Sequence, residues 1–105
     1  CQNSGPFSGS GSNGQSGTNC LAIYSFPVIS GNMYRISTCD SFSGDTYLKT
    51  NGACVCYPNR VNDDFCGSGS ECDCYATSTG MGTICASTFS SASAAWNYKV
   101  TCLPN

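Results

Sequence analysis

The sequence contains no histidine, and its 105 residues include only four Lys or Arg and six Asp or Glu. Without histidine there is no imidazole base, no histidine metal ligand and no histidine pH switch. Four basic side chains cannot form the basic stripe that a phosphate backbone requires, so nucleic-acid binding is not expected. No apolar run approaches the roughly 18 residues of a membrane span, so no such span is predicted.

Patterns typical of enzymes are also missing. There is no Gly-x-Ser-x-Gly elbow, and no histidine could activate a Ser or Cys nucleophile. Two carboxylates would suffice for a glycosidase, but each acidic residue also fits a loop or a solvent-facing position. These residues are Asp40, Asp45, Asp63, Asp64, Glu71 and Asp73. We therefore expect a non-catalytic protein.

Cysteine, in contrast, is abundant. An even number of cysteines spread along a short chain predicts a disulfide framework in an oxidising compartment, hence a secreted, extracellular protein. Zinc sites favour C-x2-C pairs, often with histidine, whereas the close pairs here are C-x-C. Cysteines two apart on a strand rarely bond each other, so each is expected to pair elsewhere. The ten are Cys1, Cys20, Cys39, Cys54, Cys56, Cys66, Cys72, Cys74, Cys85 and Cys102.

Residues 1–20 form a Gly/Ser-rich N-terminal arm whose only large apolar side chain before Cys20 is Phe7. Alone, this composition is typical of a flexible linker. Because Cys1 and Cys20 bracket it, we expect a pinned loop or irregular strand. It could fold back on its own domain or lie along a neighbouring copy. The even cysteine count favours a paired Cys1 over a lipidated or nucleophilic one.

Residues 21–105 show the period-two alternation of β-strands and no helical periodicity. Ser30-Gly31-Asn32 predicts the turn of a hairpin over 21–38, and Asn51-Gly52 predicts a second hairpin turn. Six or seven short strands predict an all-β fold, a single antiparallel β-sandwich or jelly roll stapled by disulfides. The other strands are expected at 45–50, 53–57, 71–77, 82–89 and 95–102, with a loop at 58–70.

Candidate binding residues are aromatic or acidic. Trp96 alternates with Tyr98 and Val100, which favours a place in the core. Tyr47, Tyr57 and Tyr75 are the better candidates for a surface ligand site. The carboxylates of Asp45, Asp63 and Asp64, with Asp73 as a further candidate, could supply oxygens to calcium, although their spacing matches no EF-hand. The alternative is that they cap loop amides.

Five segments in order resemble the pre-peptidase C-terminal domain, a β-sandwich appended to secreted proteases. They are YSFPVISGNMYRIST (24–38), SGDTYLKTNG (43–52), NDDFCGSGSECDCYATSTG (62–80), TICASTF (83–89) and WNYKVTC (96–102). The resemblance implies loop-capping roles for Asp45, Asn62, Asp63 and Asp64. Some members bind calcium, collagen or polysaccharide. This chain departs from the pattern in its many cysteines.

The low charge and the dense crosslinking together favour a structural or adhesive extracellular module. A surface rich in Ser, Thr, Gly and Asn has little charge to keep sheet edges apart. The expected partners are copies of the chain itself or an extracellular matrix. The alternative is a carbohydrate-binding, lectin-like module, which would use the tyrosines.

Overall fold

The computed structural model describes residues 1–56, 61–62 and 66–103 and shows the predicted all-β fold. Ten strands pair antiparallel in two sheets, sheet A with six strands and sheet B with four. Within the described residues no helix is long and apolar enough to cross a membrane. The strands are β1 (Ser4–Ser12), β2 (Ala22–Val28), β3 (Met33–Ser37), β4 (Phe42–Gly44), β5 (Thr46–Gly52), β6 (Cys54–Cys56), β7 (Val61–Asn62), β8 (Glu71–Ala76), β9 (Gly80–Thr88) and β10 (Ser93–Leu103).

The chain passes repeatedly from one sheet to the other. Sheet A has the order β1-β10-β3-β8-β6, with β4 also paired to β10, and sheet B has the order β2-β9-β5-β7. Among the strands of the described residues, only β3 and β4 follow one another within one sheet. Nearly every connection is therefore an arch between the layers rather than a hairpin within one.

The predicted hairpin over residues 21–38 is wrong. Strand β2 pairs with β9 in sheet B, whereas β3 pairs with β8 and β10 in sheet A. The turn at Ser30-Gly31-Asn32 exists, with Gly31 at a φ of 92°. The alternation of side chains fixes which residues face the core. It is the same in an arch as in a hairpin, because in an arch the two strands face one core from opposite sides.

The predicted hairpin turn at Asn51-Gly52 is also wrong. Both residues end strand β5, where they pair with Thr83 and Gly82 of β9. A type I′ turn needs positive φ at both positions, but of the two only Gly52 has it, at 82°. The chain then crosses to β6 in sheet A, and the amide of Cys56 donates to Thr50 Oγ1 over 2.9 Å.

The core lies between the sheets and contains the alternate residues of each long strand. The indole of Trp96 is 3% exposed, which confirms its predicted place in the core. Its Nε1 donates to Tyr24 Oη over 2.9 Å. Burial, followed by the charge of Tyr24, raises the pKa of Tyr98, which keeps its hydroxyl protonated as a donor. The largest fully buried side chains include Phe26, Tyr34, Ile36, Leu48, Ile84, Tyr98 and Val100.

The arm of residues 1–20 contributes an edge strand to sheet A, because β1 pairs with β10 from Ser4 to Ser12 with one irregularity between Ser4 and Phe7. Ser8, Ser10 and Ser12 are exposed, whereas Gly9 and Gly11 point toward the sandwich. A Cβ on Gly9 would lie 2.8 Å from Trp96 Nε1. Glycine therefore lets β1 cover the indole.

All ten cysteines form five disulfides, and neither C-x-C pair bonds internally, as predicted. Two bridges join β6 to β8 within sheet A, one ties the N-terminus to β10, and one ties the arm to β9. The fifth joins the segment after β3 to the segment before β8. The pairs are Cys54–Cys74, Cys56–Cys72, Cys1–Cys102, Cys20–Cys85 and Cys39–Cys66.

Candidate functional site

The predicted tyrosine candidates do not come together. Tyr75 is 53% exposed on the outer face of sheet A, whereas Tyr47 is half-buried on the outer face of sheet B. A Cβ on Gly17 would lie 2.9 Å from Tyr47 Cε1, so residues 13–20 cover that ring. Tyr57 lies outside the described residues. Of the two tyrosines within the described residues, Tyr75 is the accessible one.

The described residues include only some of the predicted calcium ligands. The backbone of Asp45 holds both sides of the connection between β9 and β10: its amide donates to Ser93 O over 3.3 Å and its carbonyl accepts from Phe89 N over 3.2 Å. Asp63 and Asp64 lie outside the described residues. Across 1–56, 61–62 and 66–103, no three His, Cys, Asp or Glu side chains cluster as a metal site would require. The calcium hypothesis stays a prediction.

Tyr75 belongs to an apolar row that crosses four strands of sheet A, here named the tyrosine row. Strand register places Leu103 of β10 beside Met33 of β3, Met33 beside Tyr75 of β8, and Tyr75 beside Val55 of β6. All four occupy outward positions, and all except Tyr75 are half-buried. The row therefore forms a narrow apolar strip across sheet A, and Tyr75 is its exposed member.

Charged residues lie directly beside the tyrosine row. Arg35 of β3 donates from Nε to Asp73 Oδ1 over 2.9 Å and from Nη2 to Asp73 Oδ2 over 3.1 Å. Glu71 Oε2 lies 3.9 Å from Arg35 Nε, and Lys99 Nζ lies 3.6 Å from Asp40 Oδ2. The hydrogen bond and charge of Asp73, with a smaller contribution from Glu71, raise the pKa of Arg35. The guanidinium is thus a permanent cation.

The two signs of charge are separated across this face. The basic residues lie on one side, with Arg35 on β3 and Lys99 on the neighbouring β10. The acidic residues Glu71 and Asp73 lie on the other side, on β8. Asp40, which is 79% exposed at its side chain, lies beside Lys99 and partly offsets its charge within the basic half. A line between β3 and β8 therefore divides a basic half from an acidic half.

A neutral, hydroxyl-rich groove lies farther along the same sheet, between β1 and β4. A cavity of about 380 Å³ there adjoins a second of about 370 Å³, and both have Ala95 and Ser43 in their walls. Ser8 Oγ donates to Asn97 Oδ1 over 3.0 Å at one wall. The Ser-Gly alternation of residues 8–12, read with a period of two instead of as a linker, would have indicated this wall.

The outer face of sheet B differs in shape. Ile23 is 67% exposed and Met81 is 51% exposed, so apolar side chains reach solvent here too. Residues 13–20 lie across β9, however, and the Cys20–Cys85 bridge holds them there. Sheet A consequently offers the flatter face of the two.

No protein-family model, no curated protein and no solved structure matched this chain when it was compared with them. These comparisons do not test the resemblance to the pre-peptidase C-terminal domain, which stays a prediction.

Proposed function

We propose that this chain is a non-catalytic, extracellular structural or adhesive module that associates with copies of itself or with an extracellular matrix. The observation that carries the proposal is the outer face of sheet A, where the tyrosine row lies beside charges of both signs. Interface centres are enriched in Tyr, Met and Arg, and Tyr75, Met33 and Arg35 are neighbours here.

Rigidity supports the same function. The five disulfides tie the N-terminus to β10, the arm to β9, the segment after β3 to the segment before β8, and β6 to β8 twice. A crosslinked sandwich loses little conformational entropy when it binds, so more of the contact energy remains as affinity. The disulfides also require an oxidising environment, which agrees with an extracellular site of action.

Sedimentation velocity and electron microscopy of native material test this function. We expect oligomers or filaments whose proportion rises with protein concentration, or cosedimentation with insoluble extracellular matrix. A chain that stays monomeric at high concentration and also fails to cosediment with matrix contradicts the proposal.

A carbohydrate-binding module is the second candidate, and one observation favours it. The exposed ring of Tyr75 lies on β8 two residues from Asp73, whose carboxylate is held by Arg35. A sugar ring could pack on the tyrosine while its hydroxyls bond the charged pair. Glycan-array binding that Tyr75→Ala abolishes and Ile23→Ala preserves supports this candidate, and an array without signal for the native chain contradicts it.

A further inference from the structure

We propose that two copies of this chain dock through the outer faces of their A sheets, related by a two-fold axis that runs parallel to the strands between β3 and β8. This inference rests on the proposed self-association and names its surface and its partner. Symmetric dimers bury the same patch of each copy, so such a patch must complement itself.

The register of sheet A makes this outer face complementary to itself. Consider a two-fold axis that runs along the strands, midway between the two faces. It keeps each residue in its own row but moves it to the other side of the boundary between β3 and β8, so residues of β3 face residues of β8 in the second copy. Met33 then meets Tyr75 of the second copy, and Leu103 meets Val55 of the second copy. The apolar rows stack on one another along their whole length, as the inner faces of a sandwich do.

The charges select this axis over the alternative. With the axis parallel to the strands, Arg35 of each copy meets Asp73 of the other, because the basic half of one face covers the acidic half of the second. An axis across the strands would instead keep β3 opposite β3 and β8 opposite β8, so the basic half of one face would cover the basic half of the second and the acidic half would cover the acidic half. Like charges facing each other in an interface disfavour that arrangement.

The opposite face of the molecule is less suited to a flat contact. Residues 13–20 rise over β9, where Gln15 N donates to Ser90 O over 2.9 Å and Ser16 N donates to Thr88 O over 3.0 Å. Two packed sheets approach to about 10 Å, and an anchored loop on the surface prevents such an approach. Sheet A is therefore the face on which a second copy fits.

Charge reversal tests the inference with two variants. Arg35→Glu alone and Asp73→Lys alone each place like charges opposite one another twice in the proposed dimer, so each is expected to raise the dimer dissociation constant by about tenfold or more. An equimolar mixture restores both attractions, since Glu at position 35 then meets Lys at position 73. Sedimentation equilibrium measures the constants, and native mass spectrometry counts the mixed dimer.

Lys49→Glu is the matched control, because it makes the same change in charge as Arg35→Glu but lies on sheet B. It is expected to leave the dissociation constant unchanged. Tyr75→Ala provides a second, uncharged variant and is expected to weaken the dimer by about tenfold or more. Circular-dichroism melting verifies that each variant is folded.

Two results would overturn the inference. If the native chain associates but neither the charge reversals nor Tyr75→Ala weakens it, the surface is wrong while the proposed function stands. If the native chain does not self-associate at all, the dimer is refuted, and the proposed function then fails only when matrix binding is absent as well.

Discussion

Tyr24 closes the side of the sandwich between β1 and β2. Its ring stacks on Phe7 with centroids 5.1 Å apart, and its hydroxyl donates to Ser8 O over 3.2 Å while it accepts from Trp96 Nε1. This one side chain therefore links both sheets. Gly9 lies against the same group, because a side chain there would meet Tyr24 Oη at 2.8 Å.

Gly9→Ala is expected to lower the free energy of unfolding by about 1–3 kcal/mol, because the added methyl group must displace Trp96 or Tyr24. The direction of this change is informative, because replacing Gly by Ala within a strand ordinarily raises the stability of the protein by roughly 0.5–1 kcal/mol. Guanidinium unfolding with the disulfides intact measures the change. Ser10→Ala, exposed on the same strand, should stay within about 0.5 kcal/mol. Equal stability of the two variants would contradict the close packing at Gly9.

Residues 13–20 form an element of their own that is built onto the outer face of β9. Ser87 Oγ has Asn19 O at 2.8 Å and Gly14 O at 3.1 Å as acceptors, and it accepts from Gly17 N over 3.3 Å. Thr88 Oγ1 accepts from Gly14 N over 2.7 Å. Two adjacent hydroxyls thus satisfy the polar backbone of a segment that has no apolar side chain to bury.

Ser87→Ala is expected to cost about 1–3 kcal/mol, because buried backbone groups of the loop lose their partner. Hydrogen exchange should quicken at Gly17, while the amides of β10 stay protected. Hydrogen-exchange mass spectrometry or NMR detects the difference, with Ser25→Ala on exposed β2 as the control. Unchanged exchange at Gly17 would show that the loop holds without this hydroxyl.

At the scale of elements, the sequence predicted strand positions well and strand partners poorly. Strands β8, β9 and β10 lie within two residues of the predicted segments. Both predicted hairpins are arches, because local alternation and turn residues carry no information on which sheet the next strand joins. Strands β4 (Phe42–Gly44) and β7 (Val61–Asn62) are too short to show a pattern, and β7 lies within the segment 58–70 that was predicted as a loop.

The whole molecule is crosslinked at sites of very different exposure. Cys54 and Cys74 are 0% exposed and bridge two strands within the core. Cys1 and Cys20 are exposed, and their bridges hold the arm against β10 and β9. Attack on a disulfide requires access to a sulfur atom, so the bridges differ in how far the fold must open before they react.

Graded reduction is therefore expected to open Cys1–Cys102 and Cys20–Cys85 before Cys54–Cys74, since the last pair is reached only through larger openings of the fold. Trapping the free thiols by alkylation at increasing reductant concentration, followed by peptide mass spectrometry, gives the order. Simultaneous labelling of all three pairs would mean that the arm does not open separately from the core.

The candidate site could be predicted only as single residues. Tyr75 was identified from its aromatic, alternating position, and it is exposed. Its neighbours Met33 and Val55 are 42 and 20 positions distant in the chain and reach it only through strand register. The pairing of Arg35 with Asp73, 38 residues apart, depends on the same register. No local pattern encodes such contacts.

Side-chain alternation and cysteine content were enough to predict the fold class, the crosslinking and the face of most strand residues, because both act locally or through composition. The strand order, the disulfide partners and the division of sheet A into a basic and an acidic half follow only from the folded chain. Those features depend on which distant strands become neighbours, and that choice is made when two sheets must share one core.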